Sequence, residues 1–217
     1  MNDEELKKYM PQYLSTGARE DLVKEIRNFP NNIDERMYAS LEPEIIYQGD
    51  GVGDMLVINL PDKKILPSPA MILSNTCDID LANKRRVGVS IMYAPIARLE
   101  AYKKMLETEK VFSTQNDLNN HLASIKKQEI TNIFFLPKAN KKADDEDVVL
   151  GMPYEGIAFL DKACSCDNDS VKRTDLNKRR LFSLSDYGFY MFLLKISIHL
   201  TRIHEKVERG QNHAKAS

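Results

Sequence analysis

The chain has 217 residues, of which 42% are hydrophobic and 29% charged; this is enough apolar material for a substantial core and too much for a disordered chain. Its 31 basic and 32 acidic residues leave a formal net charge of −1, so overall charge argues for no nucleic-acid role, and only a local basic cluster can. No apolar run is long enough to span a membrane, the opening MNDEELKKYM is unlike an export signal, and three cysteines without such a signal fit a reducing cytoplasm, the expected location.

Residues 1–44 read as a helical extension. Leu6, Tyr9, Met10, Tyr13 and Leu14 recur at helical spacing, then Leu22, Ile26 and Phe29, with Pro30 as a stop. From Ile45 the period becomes that of strands. DMLVINL alternates, PDKK is a turn, and SPAMILS is a second strand whose Pro67 and Pro69 suit an edge or a strand start. RRVGVSIMYAPI is a third strand, rich in β-branched residues. Helical spacing returns over 97–130, where Ser113 or Thr114 is placed to cap the second helix. NIFFLP is another strand, KANKKADDEDVV a charged loop without core-forming residues, and EGIAFLDKACSC the last main strand. A helix begins near SLSDYGFY, with Ser183 or Ser185 as its N-cap and Asp186 in its first turn. From Phe189 to Leu200 it is apolar nearly all round, which predicts burial on more than one side, by the fold or by a partner subunit. Residues 206–217 are a polar tail.

Several of these pieces fall in a familiar order. Gly53–Asp54, Pro61, Pro69–Ala70 and Ser74–Asn75 lie on GDMLVINLPDKK and SPAMILSN; VSIMYAPI follows, and GIAFLDKACSC with DLNKRRLFSLSDYGFYMFLLKISIHL closes the set. Together they resemble the MazF/PemK family of toxin ribonucleases over residues 49–98 and 150–203. The resemblance implies an α+β fold: a small SH3-like β-barrel over 45–205, with N-terminal helices, an inserted helical segment and a long buried C-terminal helix. It also implies a homodimer in a toxin–antitoxin or phage-defence setting. The family's catalytic arginine precedes Pro-Ala, where this chain has Ser68. Its catalytic threonine follows Pro-Ile, where this chain has Ala97 and then Arg98. RNA cleavage without a metal needs a group to move the 2′-hydroxyl proton and a cation for the developing charge, and these positions supply neither.

SNTCDID, at 74–80, gathers Ser74, Thr76, Cys77, Asp78 and Asp80 at the end of a strand. These are the candidate catalytic residues of a rebuilt site. The plainer reading is a turn, with Asn75 and Asp78 bonding backbone N–H groups and Cys77 tucked in as a small hydrophobe. Lys84, Arg85 and Arg86 follow directly and, with Arg98, are the candidate phosphate contacts. A second basic cluster comprises Lys172, Arg173, Lys178, Arg179 and Arg180. It reads equally as a phosphate groove or as a solvated surface of mixed charge. Cys164 and Cys166 are two apart on a strand and so share a face. With Cys77 and one of Asp78, Asp80 or His121 they complete a zinc ligand count. The spacing is looser than zinc sites use, so reduced thiols, no metal and no cofactor are expected.

The expectation is therefore a divergent barrel that binds a partner protein or nucleic acid and has lost the usual catalytic pair. The alternative is a metal-independent ribonuclease that cleaves single-stranded RNA through the 74–80 rim. No membrane partner is expected.

Overall fold

A computed structural model describes residues 16–31, 33–58, 61, 64–83, 86–139, 141–142 and 149–201. The first proposed helix, from Leu6 to Leu14, the middle of the PDKK turn (Asp62 and Lys63) and the polar tail lie outside the described residues. Helix α1 spans Thr16–Asn28, and a single 3-10 turn at Glu35–Met37 leads into β1, Tyr38–Ala39. The alternating stretch then gives β2 (Gly51–Ile58) and β3 (Ile65–Ile72), followed by the one-turn helix α2 (Thr76–Ile79) and β4 (Ser90–Arg98). Helices α3 (Leu99–Thr108) and α4 (Gln115–Lys126) precede β5 (Ile133–Leu136). The charged segment expected as a loop begins and ends in a small ladder, β6 (Lys141–Lys142) against β7 (Val149–Leu150).

EGIAFLDKACSC is not one strand. It is β8 (Gly156–Phe159) and β9 (Cys164–Asp167), separated by a 3-10 turn at Leu160–Lys162. Both halves pair with β4, which is longer than either and holds β9 at residues 90–93 and β8 at 96–98. Helix α5 (Leu176–Arg179) then leads into β10 (Arg180–Leu184) and helix α6 (Asp186–Thr201). The fold is α+β, built on an antiparallel sheet ordered β1-β10-β2-β3-β4-β8-β5. Among the described residues no ladder joins β1 to β5, and the sheet is open.

Each face of this sheet has its own cover. Met71, Leu73, Ala94, Ile96 and Phe182 pack beneath Leu22 and Val23 of α1 and Tyr187, Met191 and Phe192 of α6. Helix α6 comes so close that a Cβ at Gly188 would lie 2.3 Å from the Met37 carbonyl oxygen, so glycine is required there. Its N-cap is Ser185, whose Oγ accepts from the Gly188 N–H and donates to the Arg36 carbonyl; Ser183 is a buried residue of β10. Among the described residues the cover of α6 is one-sided, and Leu194, Ile198 and Leu200 are exposed. The opposite face of the sheet presents Val52, Met55, Ala70, Ile72, Ile91 and Tyr93. Loops rather than long helices cover it, through Ile46, Ile79, Val171 and Leu176.

A third cluster, Leu99, Ile125, Ile133, Phe135 and Ile157, lies under the inserted helices. Thr114, rather than Ser113, caps α4 by accepting from the Asp117 N–H. At the end of α4 the buried Gln128 closes the free edge of β5. Its side chain donates to the Phe135 carbonyl at 2.7 Å and accepts from the Phe135 N–H at 3.0 Å, as a neighbouring strand would. The Gln128 carbonyl in turn accepts from Lys195 Nζ on α6. Burial pulls the Lys195 amine down to about 8 against the opposing effect of Glu129. Gln128→Ala leaves both Phe135 backbone groups buried without partners. It is expected to cost roughly 2–4 kcal/mol in denaturant unfolding, whereas exposed Gln115→Ala should change stability little.

Candidate functional site

The loop-covered face is where the sequence gathered its polar residues, and it is assembled from three segments. The first is loop 42–50. Asp50 has no exposed surface, and its Oδ2 accepts from the Tyr47 N–H at 2.9 Å and lies 3.3 Å from Arg180 Nε. Arg180 completes the clasp by donating to the Glu42 and Ile45 carbonyls. The Asp50 carbonyl accepts from the Ile72 N–H, so one residue joins β2, β3, β10 and the loop. Burial pushes the Asp50 carboxyl up to about 6, against the opposing pull of Arg180 and Ser183.

The second segment is the SNTCDID turn. Ser74 Oγ accepts from the Met92 N–H at 2.8 Å, and Thr76 Oγ1 accepts from the Gln48 N–H at 2.9 Å. Asn75 caps α2 by accepting from the Cys77 N–H, and Asp80 accepts from the Ala82 N–H. Asn83 donates to the Cys77 carbonyl. Cys77 and Asp78 are exposed, so Cys77 is not the tucked-in hydrophobe of the turn reading. Ser74, Thr76 and Asp80 each hold backbone.

The third segment is the strap 168–180, which carries the second basic cluster. Asn168 Nδ2 and Arg173 Nη2 both donate to the Ile79 carbonyl, at 3.0 and 3.2 Å. Arg173 also donates to the Asn168 and Val171 carbonyls and to Asn168 Oδ1. Burial pulls its guanidinium below the usual value, opposed by Asp169 and Asp80. Arg179 donates to the Gly53 and Lys172 carbonyls, and Lys178 pairs with Asp175 at 2.9 Å. The arginines of this cluster are thus backbone clamps. Between loop 43–46, the turn at 79–81 and the strap at 173–177 lies a cavity of about 520 Å³.

The other described candidates do not line this cavity. Arg98 is exposed and stacks its guanidinium over the Tyr154 ring at 4.2 Å. Arg86 is exposed, and Lys84 and Arg85 lie outside the described residues. Ser68 and Ala97 each lie two residues beyond the last β3–β4 rung, Ala70 opposite Pro95. By strand alternation they fall on one face, but Ser68 Oγ donates to its neighbour's carbonyl and Ala97 has no polar group. Cys164 and Cys166 are half-buried on one face of β9, beside Tyr93, and burial raises the Cys166 thiol. Among the described residues no group of three or more His, Cys, Asp or Glu side chains is placed to hold a metal ion. His121 instead sits between the Tyr102 and Phe112 rings, 3.2 Å from the Tyr102 hydroxyl, and burial lowers its pKa.

No protein-family model and no curated protein matches the chain. Among the described residues no helix is long and apolar enough to cross a membrane.

The Asp50–Arg180 pair escaped the sequence reading because GDG at 49–51 looks like a surface turn. Its signal was an arginine at the start of the mostly apolar strand RLFSL. A carboxyl raised in the folded state contributes stability that is present below pH 4 and lost as pH rises through about 6. The unfolding free energy of wild type minus that of Asp50→Asn should therefore fall by about 2–3 kcal/mol between pH 4 and pH 7, measured by denaturant titration. A difference that grows with pH would contradict this account of the pair.

Proposed function

We propose that this chain is a MazF/PemK-like protein of SH3-like barrel ancestry that binds a partner protein and does not cleave RNA. The observation that carries this reading is how fully the polar and basic residues are used in holding backbone. Ser74, Thr76 and Asp80 accept from N–H groups, and Arg173, Arg179 and Arg180 donate to carbonyls. A ribonuclease needs a base near a nucleophile and a cation able to meet a phosphate. Cations already bonded to backbone carbonyls are poor phosphate partners. The positions where the resemblance puts the catalytic pair hold Ser68 and Ala97, which offer no such chemistry.

The setting we propose is the one that the resemblance implies, toxin–antitoxin or phage defence in the cytoplasm. A homodimer is part of the same proposal, supported by the exposed Leu194 and Ile198 on α6. The sheet order bears on the barrel ancestry too. β4 carries β3 on one side and both β8 and β9 on the other, a bend of the kind that small barrels use at their corners.

Incubation of the purified chain with single-stranded RNA in EDTA tests this reading, beside a Cys77→Ala/Asp78→Ala variant. Both side chains are exposed, so the variant should fold normally. The expected outcome is intact RNA with both proteins. Cleavage by wild type alone would overturn the proposal in favour of a rebuilt nuclease site at 74–80.

A further inference from the structure

We infer that the partner presents an extended segment in which a lysine or arginine stands beside a large apolar side chain. It docks in the cavity bounded by residues 43–46, 79–81 and 173–177. This inference rests on the protein-binding reading above and gives it a place and a chemistry.

The cavity, of about 520 Å³, is large enough to take one or two side chains of a partner. Its apolar wall includes Ile45 and Leu81, which are exposed at 39% and 55%, so apolar surface stands at the mouth uncovered by the described residues. Glu44, Asp80 and Asp175 also line it. The one cation that lines it among the described residues, Arg173, directs both Nη groups to oxygens of the chain itself. Lys178 pairs with Asp175 at 2.9 Å, so what the cavity offers an incoming ligand is apolar contact with the carboxylates of Glu44 and Asp80 beside it. That complements a basic, apolar segment and repels a phosphate backbone.

Its walls are also preformed. Arg180 holds loop 43–46 by its carbonyls, and Asn168 and Arg173 hold the turn through the Ile79 carbonyl. A ligand then binds without first ordering the site. The cavity beside α3 and α4, of about 510 Å³, lacks this bias. There Lys103 and Lys126 balance Glu100 and Glu155, and Lys126 already bonds Glu155 at 2.6 Å.

The test is selection of random displayed peptides of about twelve residues on the full chain, a length that spans such a groove. Glu44→Lys/Leu81→Asp serves as the counter-selection. Both side chains are exposed, so thermal melting of the variant should match wild type. The expected enriched sequences carry Lys or Arg within two positions of a large apolar residue. A synthetic copy should bind the double variant at least about tenfold more weakly, and Val111→Asp, an exposed apolar site elsewhere, as tightly as wild type. Enriched peptides that are acidic, or that bind the double variant equally, would overturn the inference and leave a protein-binding module with its surface elsewhere. No enrichment over the double variant would overturn it too. If the chain then retains single-stranded RNA at physiological salt, the protein-binding reading falls with it.

Discussion

A carboxylate with no exposed surface faces a guanidinium across 3.3 Å, and much of the molecule is arranged around that contact. Asp50 and Arg180 are separated by most of the chain, yet they bring together the start of β2, the start of β10 and the loop that covers one face of the sheet. A buried ion pair of this kind adds little net stability over an apolar pair, but removing one partner leaves the other charged and buried. What the pair does is tie loop 42–50 to the sheet, since Arg180 faces Asp50 and also donates to the Glu42 and Ile45 carbonyls. Gly51 next to it lets Phe182 pack against the backbone, where a Cβ would come within 2.2 Å of the ring.

That placement determines what the neighbouring polar residues do. With loop 42–50 in position, the Gln48 N–H meets Thr76 Oγ1, and Gln48 Nε2 reaches the Leu73 carbonyl. The strap then lies across the end of the turn, and Arg173 and Asn168 converge on one carbonyl. Among the described residues this face is covered by loops, so side chains supply donors and acceptors that regular structure would otherwise provide. The residue types that suggest catalysis in a sequence, hydroxyls, carboxylates and arginines in clusters, are the same types that a loop-built layer needs for its own cohesion.

Legibility followed from periodicity. β2 and the inserted helices could be read from repeats near two and 3.6 residues, and β3, β4 and β5 from short apolar runs, β5 being buried at every position. Pro67 and Pro69 lie within β3, upstream of the Ala70–Ile72 stretch that pairs with β4, at a free edge as their missing N–H groups require. β1 and β10 were not legible. One is two residues long, and the other begins with an arginine that looks like surface charge until its buried partner is known. The split of β8 from β9 depends on the length of β4, a tertiary fact with no local signal. At 74–80 the sequence showed correctly that something polar closes the strand. It did not show that the partners are the amides of Gln48 and Met92, distant in sequence. The one-sided cover of α6 was hidden for a similar reason: an all-apolar helix states its hydrophobicity but not which surfaces meet it.

The central claim is that the hydroxyls of the 74–80 turn are structural, and amide hydrogen exchange tests it most directly. The Gln48 and Met92 amides should be protected to a degree comparable with their strand neighbours, and Thr76→Val should release Gln48 by about tenfold or more while leaving Met92 protected. Rapid exchange of both amides in wild type would contradict the account and return Ser74 and Thr76 to the solvent as candidates for chemistry.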